Sequence, residues 1–198
     1  MSNVSISDSF DSGNIEYVSC KNNRVEVKVK NEPFTIGEMQ QHKQWFHFRA
    51  SGVKDSEFNF VIINANDCSF PTAWPEYNVC TSYDRQYWFR TPTEYDEANG
   101  TLSWKIKPTC DEVYFAYFMP YSLDRHYDLV AKCVGVSSST SPLAPFVQVK
   151  SIGDTLDGRS IHMITIGDTS KPHKKMWAIA RQHPGESMVS RCISYMIF

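Results

Sequence analysis

The sequence predicts an antiparallel β-sandwich followed by the beginning of an α/β domain, with the sandwich over residues 1–119 and the incomplete second domain over residues 120–198. Three observations predict this. Apolar residues alternate with a period of two through the first two-thirds of the chain, and turn residues punctuate these runs. Beyond Pro120 the spacing becomes mainly helical, with one wholly apolar run before the last helical stretch.

The elements follow in order. Val25, Val27 and Val29 alternate with Glu26, Lys28 and Lys30, the pattern of a half-buried strand. Phe46 and Phe48 alternate with His47 and Arg49, and Phe58, Phe60 and Ile62 repeat the pattern. The run Phe60-Val61-Ile62-Ile63 suits a strand covered on both faces. Tyr87 and Phe89, then Leu102, Trp104 and Ile106, then Val113, Phe115 and Tyr117 continue the alternation. Turn signals stand between them at Lys21-Asn22-Asn23, Ser51-Gly52, Asn64-Ala65-Asn66-Asp67 and Asn99-Gly100. Seven or so short strands without a helix between them describe a sandwich whose interior takes the bulky aromatic rings.

Residues 121–134 place Leu123, Tyr127, Leu129, Val130 and Cys133 at mainly helical intervals, behind Ser122 as a candidate N-cap. A polar connector over residues 137–145 leads to a predicted hairpin, residues 146–152 and 160–166 around Asp157-Gly158. Met176-Trp177-Ala178-Ile179-Ala180 then has the composition of a buried central strand. It runs into Arg181-Gln182-His183-Pro184-Gly185-Glu186, after which Met188, Val189, Cys192, Ile193, Met196 and Ile197 repeat at helical spacing. Strand, sharp loop and incoming helix are an α/β signature. The chain stops at Met196-Ile197-Phe198 within that apolar pattern, as expected of a cut inside the helix.

Composition excludes several classes of protein. With 41% hydrophobic residues and a net charge of −2, the 198-residue chain is neither disordered nor strongly basic. Twenty Lys and Arg against 22 Asp and Glu give no field for nucleic acid. The first 20 residues lack a basic start followed by an apolar run, so no secretory signal is predicted. No stretch approaches the ~18 apolar residues of a bilayer span. Cys20, Cys68, Cys80, Cys110, Cys133 and Cys192 are scattered without a CxxC pair, which reads as reduced thiols in a cytoplasmic protein.

The chemistry-bearing candidate is the pair His183 and Glu186, three residues apart at the carboxyl end of the apolar run, where open α/β sheets place their ligands. One imidazole and one carboxylate are two of the usual ligands of Zn²⁺. Pro184 keeps His183 out of the helical region, and Gly185 permits the turn that brings Glu186 round. His-x-x-Glu also arises by chance, and an acidic residue in a first helical turn is ordinary capping. A catalytic zinc needs a third protein ligand and an open water position. His42, His47, His126, His162 and His173 lie on strand faces, a helix or loops without a matching partner, and read as surface or core residues.

Other candidates carry less. Ser160, Ser187 and Ser190 sit in no G-x-S-x-G elbow, and residues 153–158 lack the Gly-Lys-Ser/Thr ending of a phosphate loop. Trp45, Tyr83, Tyr87, Trp88, Trp104, Tyr114 and Tyr117 suit packing more than a ligand platform. Lys28, Lys30, Arg85 and Arg90 read as a solvated face.

Several blocks together resemble a known family. Residues 152–161, Ile166-Gly167 and Ala180-Arg181-Gln182-His183-Pro184-Gly185-Glu186 resemble zinc carboxypeptidases of the carboxypeptidase A type, and the His-Pro-Gly-Glu form resembles the cytosolic carboxypeptidase subfamily. Phe10-Asp11-Ser12-Gly13-Asn14, Gln44-Trp45-Phe46-His47-Phe48, Cys80-Thr81-Ser82-Tyr83-Asp84-Arg85 and residues 115–122 resemble that subfamily's N-terminal β-sandwich. The resemblance implies a mixed-sheet zinc carboxypeptidase domain after residue 119, with His183 and Glu186 as the first two zinc ligands. It places the third ligand, a histidine, and the general-base glutamate beyond residue 198, together with the arginine and asparagine side chains that hold the substrate's carboxylate. It implies removal of C-terminal residues, typically glutamate, from tails such as those of polyglutamylated tubulin. The charge balance and the lack of a long apolar stretch add the expectation of no nucleic-acid or membrane partner.

Two readings follow. One is a zinc metallocarboxypeptidase of which this chain carries the sandwich and the opening βββα portion. The alternative is a non-catalytic β-sandwich interaction module with an incomplete peptidase domain. Under either, residues 176–180 lack the later strands that would flank them and leave an apolar edge prone to aggregation. Residues 120–198 expressed alone are therefore expected to be poorly soluble, and a cooperative thermal unfolding transition of that segment would contradict this.

Overall fold

The computed structural model describes residues 4–33, 42–168, 170–171 and 174–197. These form two compact units, Met1–Pro120 with His183–Met188, and Tyr121–Gln182 with Val189–Phe198. Among the described residues no helix is long and apolar enough to cross a membrane.

The first unit holds ten strands, β1 (Ser5–Ser7), β2 (Glu16–Lys21), β3 (Arg24–Lys28), β4 (His47–Ser51), β5 (Phe58–Ile62), β6 (Asn78–Ser82), β7 (Phe89–Pro92), β8 (Glu94–Asp96), β9 (Thr101–Ile106) and β10 (Glu112–Ala116). They make two five-stranded sheets, ordered β1-β4-β10-β6-β7 and β2-β3-β5-β9-β8. The β-sandwich read from the alternation is thus present, with one departure. Strands β3 and β5 pair parallel, Val25 opposite Phe60 and Val27 opposite Ile62, while among the described residues the other neighbouring strands of the two sheets pair antiparallel. The chain between them crosses to the other sheet to form β4, and returns running in the same direction.

The alternating residues meet in one core. Phe48, Val79, Val113 and Phe115 from the first sheet, with Phe46 just before β4, face Val25, Val27, Phe58, Phe60, Ile62, Leu102 and Trp104 from the second, all of them buried. Four rings sit at its centre: Phe60 lies 4.7 Å from Phe115 and 5.8 Å from Trp104, Phe115 lies 5.2 Å from Trp104, and Phe48 lies 5.3 Å from Phe115. Offset and edge contacts at these separations are favourable beyond the burial itself. Hairpin chemistry sets the registers. Asn22 and Asn23 both adopt left-handed backbone (φ 50° and 60°), the two-residue turn that fits the twist of β2 and β3. Gly100, at φ 68°, ends the β8–β9 turn against the side chain of Asn66.

Three of the blocks that carry the family resemblance converge outside the first sheet. Asn14 is buried and donates from its amide to the carbonyls of Trp45 (2.8 Å) and Lys30 (3.2 Å). Gly13 passes so close to Asp8 that a Cβ there would lie 1.9 Å from its carbonyl oxygen, so only glycine fits. The ring of Phe10 packs edge-on 4.8 Å from His47, and the Arg85 guanidinium lies over Phe10 and Tyr114 at 5.5 and 5.7 Å. Trp45 donates from its indole to the Ser12 carbonyl at 2.7 Å, and Trp88 packs 5.7 Å from His47. Trp45, Trp88, Trp104, Tyr114 and Tyr117 therefore pack within the fold, whereas Tyr87 is exposed.

The second unit contains α1 (Leu123–Ser137) and the hairpin of β11 (Val147–Asp154) and β12 (Ser160–Ile166), with α1 packed along β11. Ser122 caps α1, its hydroxyl accepting from the Arg125 amide at 3.3 Å. A bulge interrupts the hairpin between Ser151 and Gly153. The last element is α2 (Ser187–Ile197). The expected buried strand over residues 176–180 is absent: these residues form no strand, and Met176 and Trp177 are 83% and 76% exposed. Among the described residues no strand pairs with this run. An apolar run becomes a strand only where its amides and carbonyls find ladder partners.

His47, on the outward face of β4, is 1% exposed. Burial, with the Arg85 cation adding to it, pushes its pKa down to about 3. The neutral ring shares a hydrogen bond of 2.9 Å between Nδ1 and the Ser12 hydroxyl. An unfolded histidine takes up its proton near pH 6.5, whereas the folded one resists it, so the His47 contribution is complete above pH 6.5 and is lost towards pH 3. Each pH unit inside that window is expected to cost roughly 1.4 kcal/mol. Urea unfolding at pH 7 and pH 5 should show the drop, and His47→Gln should flatten it. Replacing Phe60 by Ala should cost about 3–5 kcal/mol in the same measurement.

Candidate functional site

The sequence Gln182-His183-Pro184-Gly185-Glu186 forms a bend and a tight turn immediately before α2. The Glu186 amide donates to the His183 carbonyl at 3.0 Å and closes it. The left-handed residue is Arg181 (φ 59°), not Gly185, which lies outside that region and would meet nothing with an added Cβ. The expectation that the conformational freedom of Gly185 permits the turn that brings Glu186 round is therefore corrected: the left-handed position lies two residues before His183.

The turn brings the two predicted residues together. His183 Nδ1 lies 2.9 Å from Glu186 Oε1, and His183 is largely exposed, with 78% of its side chain open to solvent. Glu186 directly precedes α2, so the first-turn amides favour its negative charge. One imidazole nitrogen and one carboxylate oxygen facing each other fit a zinc ion in kind. Their 2.9 Å separation is that of a hydrogen bond, and opening it by about 0.5 Å gives the spacing of about 3.4 Å between ligand atoms on a tetrahedral zinc. Among the described residues no group of three or more His, Cys, Asp or Glu converges on one point, so the turn offers two protein ligands.

Ser187, the next residue, anchors the turn. It is fully buried, and its hydroxyl donates to the Met119 carbonyl at 2.9 Å. Reading the serines only as possible nucleophiles missed this role; the signal available was a small hydroxyl residue at the start of a helix beside the acidic ligand. The other histidines are dispersed. His42 lies on the surface beside Ser69, His47 is buried in the sandwich, and His173 lies outside the described residues. His126 and His162, expected to lack a partner, instead face each other across 3.1 Å. Lys30 pairs with Asp8 at 2.6 Å, and Arg90 donates to the Asn78 carbonyl at 2.5 Å. None of the six cysteines forms a disulfide.

Residues 6–118 match the family described as the cytosolic carboxypeptidase N-terminal domain. An uncharacterized protein of Zymomonas mobilis is 37% identical over 185 residues, covering 93% of this chain and 44% of its own length. The crystal structure of a metallo-carboxypeptidase from Burkholderia cenocepacia superposes with a TM-score of 0.81 at 33% identity, covering 98% of this chain and 48% of that one. A Pseudomonas aeruginosa metallo-carboxypeptidase in complex with (2-guanidinoethylmercapto)succinic acid gives the same TM-score of 0.81 at 34% identity, again over 98% of this chain and 48% of that chain. The chain spans about half the length of the relatives it matches.

Removing the Ser187 hydroxyl leaves the Met119 carbonyl without that donor. Ser187→Ala is expected to lower stability by about 1 kcal/mol, measured by urea unfolding.

Proposed function

The chain belongs to the cytosolic carboxypeptidase N-terminal domain family, and we propose that it is the amino-terminal half of a zinc-dependent metallocarboxypeptidase. The observation that carries this reading is the His183–Glu186 turn, with Nδ1 and Oε1 2.9 Å apart at the head of a helix. The metallo-carboxypeptidase neighbours, which match 98% of the chain, support the same assignment.

In this reading His183 Nδ1 and a Glu186 carboxylate oxygen hold the metal. Bound there, zinc supplies Lewis-acid polarisation of the scissile carbonyl and acidification of a water molecule. The chain's own residues fix the ligand atoms. The closed turn sets the spacing between imidazole and carboxylate, and Ser187 ties the turn to Met119. Prearranged ligands lose little freedom when the metal arrives, which favours binding. A third protein ligand and a general base come from elsewhere in the full-length enzyme.

We further propose that the substrates are C-terminal tails of peptides or proteins, with glutamate the residue removed and polyglutamylated tubulin the type of target, in the cytoplasm. The test is a protein carrying this chain at the relatives' full length. It should bind one zinc per subunit and release glutamate from the C-terminus of an acidic peptide. His183→Ala should remove the metal and lower kcat/KM by more than about a hundredfold, since disturbing even an outer partner of a metal ligand costs 10- to 100-fold. Undiminished peptidase activity in that variant would overturn the assignment. Retained zinc with no release of C-terminal glutamate would overturn only the substrate.

A further inference from the structure

A second pair of metal-competent side chains lies in the unit built from α1 and the β11–β12 hairpin. His126, in the first turns of α1, places Nε2 3.1 Å from Nδ1 of His162 on β12. Their ring centroids are 5.3 Å apart and the planes are inclined by 46°, so the nitrogens face each other and the rings are not stacked. Both residues are half-buried, open enough for water and a small cation. The pair shares no residue with the His183–Glu186 turn.

Local structure holds both rings. The His126 amide donates to the Ser122 carbonyl at 3.2 Å, at the capped start of α1. His162 stands opposite Ser151, next to the bulge that interrupts the hairpin ladder. The two residues are 36 positions apart in the sequence, and a ligand gripping both ties the helix to the hairpin. Burial and the neighbouring His162 keep the His126 pKa below the ordinary imidazole value, so its lone pair is available at neutral pH.

We propose that His126 and His162 form a binding site for a divalent transition-metal ion of the kind imidazole favours, such as Zn²⁺, Ni²⁺ or Cu²⁺. As a neutral pair the rings share one N–H···N hydrogen bond. Metal binding needs a lone pair on both nitrogens, so the donating ring moves its proton to its other nitrogen and the pair releases no net proton. The nitrogens separate by about 0.3 Å to reach tetrahedral zinc spacing. Water completes the coordination, since among the described residues no third His, Cys, Asp or Glu joins the pair. The ion cross-links α1 and β12 and stabilises the unit by binding the folded state alone.

The test uses Zn²⁺ alone with the 198-residue chain. Imidazole ¹⁵N spectra recorded during a zinc titration should show Nε2 of His126 and Nδ1 of His162 shifting together. Calorimetry should show His126→Gln and His162→Gln each weakening this binding event at least tenfold, while His183→Gln leaves it unchanged. Both nitrogens remaining in place at saturating zinc would overturn the proposal, as would zinc binding that only His183→Gln affects. The spectra are read on the unsubstituted chain, so a misfolded variant does not decide the outcome.

Discussion

The contact between Phe48 and Phe115 on one sheet and Phe60 and Trp104 on the other is the constraint on which the sandwich depends. Four large rings from four strands must interdigitate in a single layer, and that fixes which face of each strand points inward. A slip of one residue in β4 would send His47 and Arg49 into the core and Phe48 out of it. The outer face follows from the same choice. With Phe46 and Phe48 turned inward, His47 is left facing outward, where Phe10, Trp88 and the segment around Ser12 cover it.

Much of this was legible in the sequence because a half-buried strand writes its burial as alternation. Val25/Val27, Phe58/Phe60/Ile62 and Leu102/Trp104 lie where the period of two puts them. The elements that escaped notice lack that pattern. Strand β2 has no fully buried residue, and β6 buries Thr81 and Ser82, with Thr81 satisfied by a 2.7 Å contact to the Thr91 hydroxyl. The parallel pairing of β3 and β5 was not readable either, since pairing direction depends on the route of the chain between sheets and leaves no trace in either strand.

The candidate site divides in the same way. Spacing brought His183 and Glu186 to attention, because a turn of four residues is local and its chemistry is visible in order. Ser187 gripping Met119 and His126 facing His162 join residues 68 and 36 positions apart, and only the folded chain puts them together. The run over residues 176–180 shows the opposite limit. Its composition names a strand, but composition cannot provide a hydrogen-bonding neighbour.

The Ser187–Met119 hydrogen bond also bears on the order of folding. It closes a loop of 68 residues, an entropic cost that is recovered only when the receiving segment at the end of the sandwich is already in place. On the ribosome the amino-terminal strands emerge first and can collapse around their rings while the distal turn is still being made. The sandwich then acts as an internal template: it is finished early, and the turn carrying His183 and Glu186 docks onto it late. Damage to the aromatic layer would on this account delay assembly of the turn without altering any residue in it.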